Sequence, residues 1–175
     1  MLRVLSALLA TGAMVSATEG QAVACGTAKD CGKEEICLEG TCVPAVGRVY
    51  VLTIVEGEVS ERKGTGQPWD AAGGLPDPRV DVKFPSMKSA VGSTKAAQDT
   101  LKPKWNASVE LTVTAVGQEL WLCVVDQDAL GDDPITTGRG SCVGKKDVVK
   151  LVRQAKFTFR SNSELRLLRV SITPK

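Results

Sequence analysis

Six short runs between residues 47 and 175 alternate with a period of two, and that alternation limits the fold more than any other feature of the chain. In Arg48 to Val55, Val49, Val51 and Val55 interleave with Tyr50, Leu52 and Ile54, which predicts a strand apolar on both faces. Val80, Val82 and Phe84 alternate with Arg79, Asp81 and Lys83, leaving one wet face. Val109, Leu111 and Val113 alternate with Glu110 and Thr112; Leu120, Leu122 and Val124 alternate with Trp121, Cys123 and Val125. Phe157 and Phe159 flank Thr158, and Leu168, Val170 and Ile172 alternate with Arg169 and Ser171. Leu165 and Leu167 precede the last run on the opposite parity, so its start is either bulged or buried on both faces. Only Asp147 to Gln154 reads as a helix. Short strands separated by Gly- and Pro-rich turns predict an all-β antiparallel sandwich. Charged residues at 24% and hydrophobic residues at 43% argue against disorder.

Upstream, the chain reads differently. Residues 1–17 have the pattern of a secretory signal peptide: Arg3, an apolar run from Val4 to Val15, and the small-residue site Val15-Ser16-Ala17. A secreted or cell-surface protein is therefore expected, extracellular or periplasmic. Ala22-Val23-Ala24 is a second small triplet, and lipidation at Cys25 is the less favoured alternative. Residues 18–46 form a cysteine-rich module and linker. Cys25, Cys31, Cys37 and Cys42 crowd a segment too short to bury a core, so two disulfides are expected to staple it, in any of three connectivities. Zinc fits poorly, because the gaps lack the two-residue knuckle of zinc ribbons. Val43-Pro44-Ala45 is expected to link this module to residues 47–175.

Charge and chemistry remove several functions. Lys and Arg total 22 against 20 Asp and Glu, so no nucleic-acid partner is implied. The chain has no histidine, which excludes Ser-His-Asp and Cys-His catalysis. Two long connections are acidic. Ser60 to Asp77 carries Asp70 and Asp77; Asp126 to about Gly138 carries Asp126, Asp128, Asp132 and Asp133. Carboxylates about 4 Å apart repel by roughly 4 kcal/mol at an effective dielectric near 20, so a convergent cluster needs a cation. Oxygen-only ligands on flexible loops favour calcium. An EF-hand starting at Asp126 fails at Leu130 and Thr137, and Gly144-Lys145-Lys146 lacks the P-loop pattern. The one glutamate of these loops, Glu61, is far along the chain from the aspartates, so a glycosidase pair is not expected and the chain is read as a non-enzyme.

Three motifs in order then resemble the C2 domain family: Asp77-Pro78-Arg79-Val80-Asp81-Val82, Pro103-Lys104-Trp105-Asn106, and Leu120-x-Leu122-x-Val124-x-Asp126-x-Asp128 followed by Asp132-Asp133. The resemblance implies an eight-stranded antiparallel sandwich with its binding loops at one end. It implies a Ca2+ site made by Asp70, Asp77, Asp126, Asp128 and Asp133, with Asp132 as a substitute for Asp133, and with the backbone carbonyls of Trp69 and Gln127. It also implies an anionic phospholipid membrane surface as partner. Trp69, Leu75 and Leu130 would be the apolar tips, and Lys83, Lys88, Lys95, Lys102 and Lys104 a basic face. The competing reading is a calcium-stabilised structural or protein-interaction module that binds no lipid. A monomer is expected. Cys123 and Cys142 are expected to bridge the base of the third loop.

Overall fold

The computed structural model describes residues 23–70, 73–87, 89–129, 131–137, 140 and 142–175. Residues 1–17, which carry the expected signal peptide, and Lys88 and Leu130 lie outside the described residues. Tyr50, Leu52 and Ile54 are fully buried on one face of the longest strand, β3 (Val49–Val59). Val51 and Val55 on the opposite face are half-buried and Val49 is exposed. The expectation of burial on both faces is thus corrected. A strand in a two-layer sandwich has one core to face, and its outer side here carries polar pairing such as Thr53 with Ser108 at 3.1 Å.

Around β3 the first sheet runs β10 (Lys156–Arg160), β11 (Leu165–Pro174), β3, β6 (Lys104–Thr112). The second runs β5 (Gly92–Ser93), β4 (Pro78–Lys83), β7 (Glu119–Asp126), β8 (Asp133–Pro134), with β9 (Cys142–Asp147) also on β7. All pairings are antiparallel. Since β4 takes one edge of β7 from Trp121 to Asp126, β8 and β9 share the other, at residues 125–126 and 119–123. The sandwich therefore has eight lanes. Leu165 and Leu167 are both buried, and the β11–β3 register shifts between them, a bulge. The helix, α1 (Val148–Gln154), is N-capped by Asp147, which accepts from the Lys150 N–H at 3.2 Å. It stops where Ala155 turns left-handed and donates to the Leu151 carbonyl.

The N-terminal module is a hairpin of β1 (Glu35–Leu38) and β2 (Thr41–Pro44), stapled by Cys25–Cys37 and Cys31–Cys42. It is not set apart by a free linker. Val43 and Pro44 finish β2, and Ala45 is fully buried in the main core together with Ile36. The reason is polar: the hydroxyl of buried Tyr50 needs an acceptor and donates to the Ala45 carbonyl at 2.8 Å. From α1, the Arg153 guanidinium donates to the carbonyls of Gly32, Glu35 (2.5 Å) and Cys31 (3.4 Å). Charge-assisted bonds of this kind contribute about 1.5–3 kcal/mol. Arg153→Ala is expected to lower stability by about 2 kcal/mol and to make the module cleavable at Lys29 or Lys33. Limited trypsin digestion with a thermal melt checks both.

Candidate metal centre

Strand register brings the two acidic loops together. Pro78 at the start of β4 pairs with Asp126 at the end of β7. The first loop therefore finishes where the third begins. The Asp77 N–H donates to Asp126 Oδ1 at 2.6 Å, and the Gln127 N–H donates to the Asp77 carbonyl at 3.1 Å. Trp105, from the Pro-x-Trp-Asn segment, secures this corner from the other sheet: its Nε1–H donates to the Pro78 carbonyl at 3.0 Å. Its ring lies so near Gly57 that a Cβ there would meet it at 3.0 Å.

Three carboxylates converge at this corner. One oxygen from each of Asp70, Asp126 and Asp128 lies within 4.8 Å of the other two. Asp126 is fully buried, and its second oxygen, Oδ2, has no hydrogen-bond partner. Burial pushes the Asp126 pKa up to about 6 against the pull of the Asp77 N–H, and the charges of Asp128, Asp70 and Asp77 add to the rise. Asp70 is also raised, by burial first and then by its contact with Asp128. Gly74 keeps room for it, since a Cβ at Gly74 would lie 2.5 Å from Asp70 Oδ2. A buried, unpaired carboxylate oxygen beside two more carboxylates is an arrangement that a hard cation completes.

The remaining expected carboxylates are placed differently. The Asp77 carboxylate accepts from the Asp99 N–H at 2.7 Å and acts on the cluster through its charge. Asp132 is held by Arg79 at 2.6 Å. Asp133 is paired with the Lys63 ammonium. The Gln127 side chain turns to Arg79, its Oε1 accepting at 3.0 Å, which does not involve the backbone carbonyl expected as a ligand.

Trp69 is 3% exposed, with its Nε1–H donating to the Ser60 carbonyl at 2.8 Å. As an apolar tip it is corrected: its indole is packed inward and its polar edge is satisfied there. Leu75 is 38% exposed and remains a candidate tip. The lysines do not make one face. Lys83 ends β4 in the second sheet and lies 3.7 Å from Asp81, Lys104 opens β6 in the first, and Lys95 and Lys102 are exposed on the segments that join β5 to β6. Cys123 and Cys142 are bonded, directly opposite each other on β7 and β9.

Sequence reasoning missed two participants. Asp99 sits in the connection between β5 and β6 with a positive φ of 45°, and its charge reaches Asp70. No spacing marks it. Lys63 lines a cleft of about 750 Å³ with Trp69, Asp70, Asp128 and Asp133. A lone lysine in an acidic loop was its only signal.

The family model of the C2 domain matches residues 51–147. The chain belongs to the C2 domain family. Among solved structures it is similar to a single C2 domain of plant Extended Synaptotagmin 1, at 22% identity and a TM-score of 0.53, covering 73% of this chain and 94% of that one. It is similar to the two C2 domains of Extended-Synaptotagmin 2 at 17% identity and a TM-score of 0.52, covering 98% of this chain and 48% of that one. Human GIVD cytosolic phospholipase A2, solved with methyl gamma-linolenyl fluorophosphonate and terbium chloride, gives 18% identity and a TM-score of 0.52 over 73% of this chain and only 17% of that enzyme. At these identities the likeness is one of fold. No curated protein matches the chain. The sandwich of this C2 domain is thus the expected one, with the N-terminal module packed on it.

Proposed function

We propose that this chain is an exported C2 module, a binding protein and not an enzyme, which takes up calcium between its first and third loops and holds an anionic phospholipid or cell surface with the loaded end. The observation that supports it most is the orphaned Asp126 Oδ2, buried in a cluster with Asp70 and Asp128. The donor set fits calcium: every side-chain ligand is a carboxylate, and Asp77 lends its charge from beside them. Bound calcium would neutralise the cup and offer open positions to phosphate oxygens. Leu75, exposed on the first loop, is suited to enter the apolar layer. Export rests on the signal-peptide pattern, and three disulfides accord with an oxidising compartment.

Extracellular modules hold calcium with a Kd of about 10⁻⁴ to 10⁻³ M. Ten millimolar calcium, at roughly 10 to 100 times that Kd, is expected to stabilise the protein by about 1.4–2.7 kcal/mol. The melting temperature should then rise by roughly 3–10 °C. An unchanged melt would reject the site. Sedimentation with phosphatidylserine vesicles, in calcium and in chelator, tests the partner. Pelleting only in calcium supports lipid capture; a calcium-shifted melt without pelleting would replace it with a calcium-stabilised structural or protein-interaction module.

A further inference from the structure

We propose that Lys63 is a built-in cation of this site, so that the protein takes up a single calcium ion and the Lys63 ammonium stands where a second would go. The inference rests on the calcium reading above and concerns how that site is filled. Four of the six loop aspartates act on the cleft that Lys63 enters: Asp70 and Asp128 line it, Asp133 lines it and binds Lys63, and Asp126 adds charge from below. The chain divides these carboxylates into two sets. Asp70, Asp126 and Asp128 have oxygens within 4.8 Å of one another and no ion-pair partner among the described residues. Asp133 has one already.

Three observations hold Lys63 in that role. Its ammonium is paired with Asp133 across 70 residues of chain. It lies 5.6 Å from the centroid of the buried Trp69 ring, so its stem and head are set by a fixed platform. Its backbone is pinned by a tight turn, the Lys63 N–H donating to the Gln67 carbonyl at 2.9 Å and the Gly66 N–H to the Lys63 carbonyl at 2.8 Å. Asp126 and Asp128 both attract it as well. A second divalent ion seated at Asp133 would have to displace this ammonium or lie against it, and like charges in a half-dry cleft repel strongly. The first ion suffers less, because its three carboxylates are not ligands of Lys63.

Calorimetric titration with calcium, with ion counts confirmed by native mass spectrometry, tests this. The wild-type protein should bind one ion. Lys63→Met, which keeps packing against Trp69 and removes the charge, should bind two, with the first at least severalfold tighter. Lys63→Arg should keep one, and Lys63→Met with Asp133→Asn should return to one. Two or more ions on the wild-type protein would overturn the inference while leaving the calcium reading intact, and needs no variant to be seen. A folded Lys63→Met that still takes one ion would also overturn it. No calcium uptake by the wild-type protein would overturn both.

Discussion

Asp126→Asn is expected to change stability in opposite directions with and without calcium. In chelator at pH 7.5 the variant should melt higher than wild type. Folding raises the Asp126 pKa from 3.8 to about 6, so the ionised carboxylate is the form the fold resists. The stability tied to this group is fully present below pH 4 and is lost as pH rises through about 6. At neutral pH the loss is about 3 kcal/mol. Asn removes the charge, keeps an oxygen for the Asp77 N–H, and offers its amide to Asp70 and Asp128. In 10 mM calcium the order should reverse or close, because the ion needs the charge that Asn lacks. The wild-type calcium shift should likewise fade as pH falls below 6. Calorimetry of both proteins from pH 4.5 to 8, in EGTA and in calcium, isolates Asp126 by difference. A variant that melts lower than wild type in EGTA at every pH would show that Asp126 is not held under electrostatic stress.

Replacing Cys123 and Cys142 together by alanine should lower stability by about 3 kcal/mol, since their bridge closes a loop of some 20 residues in the unfolded chain. The melting temperature should fall by roughly 6–12 °C. The bond joins β7 to β9 at the point where the third loop leaves and returns, so calcium affinity should fall too. The two readouts separate the effects: a lower melt with unchanged calcium affinity would confine the bridge to the fold, and an unchanged melt would reject the estimate.

Much of the sandwich was legible residue by residue. Val80, Val82 and Phe84 announce an inward face because successive side chains of a strand point to opposite sides, and all three are buried; in the β3 run both faces are apolar, so the pattern did not choose between them. The parity break at Leu165 and Leu167 is a bulge in the structure, and the single helical segment forms behind its Asp147 cap. The acidic cup was legible only in part. Asp70, Asp126 and Asp128 gather as their loops suggested, yet Asp132 and Asp133 are drawn off to Arg79 and Lys63, partners 53 and 70 residues away. Trp69, next to Asp70, turned inward. Asp99 carried no mark at all, since its position depends on a hydrogen bond to Asp77 across 22 residues.

The amino-acid order by itself determined six of the strands, the helix, the cysteine-stapled module and the composition of the acidic loops, because alternation and capping act over a few neighbours; β1, β2, β5, β8 and β9 carry no such alternation and were not read from it. Only the tertiary structure decided which carboxylates share a cup, which receive an internal cation, and how the N-terminal hairpin joins the main core. Those choices depend on distances between side chains far apart in sequence, and Coulomb energy and desolvation change steeply over a few ångströms that no local pattern encodes.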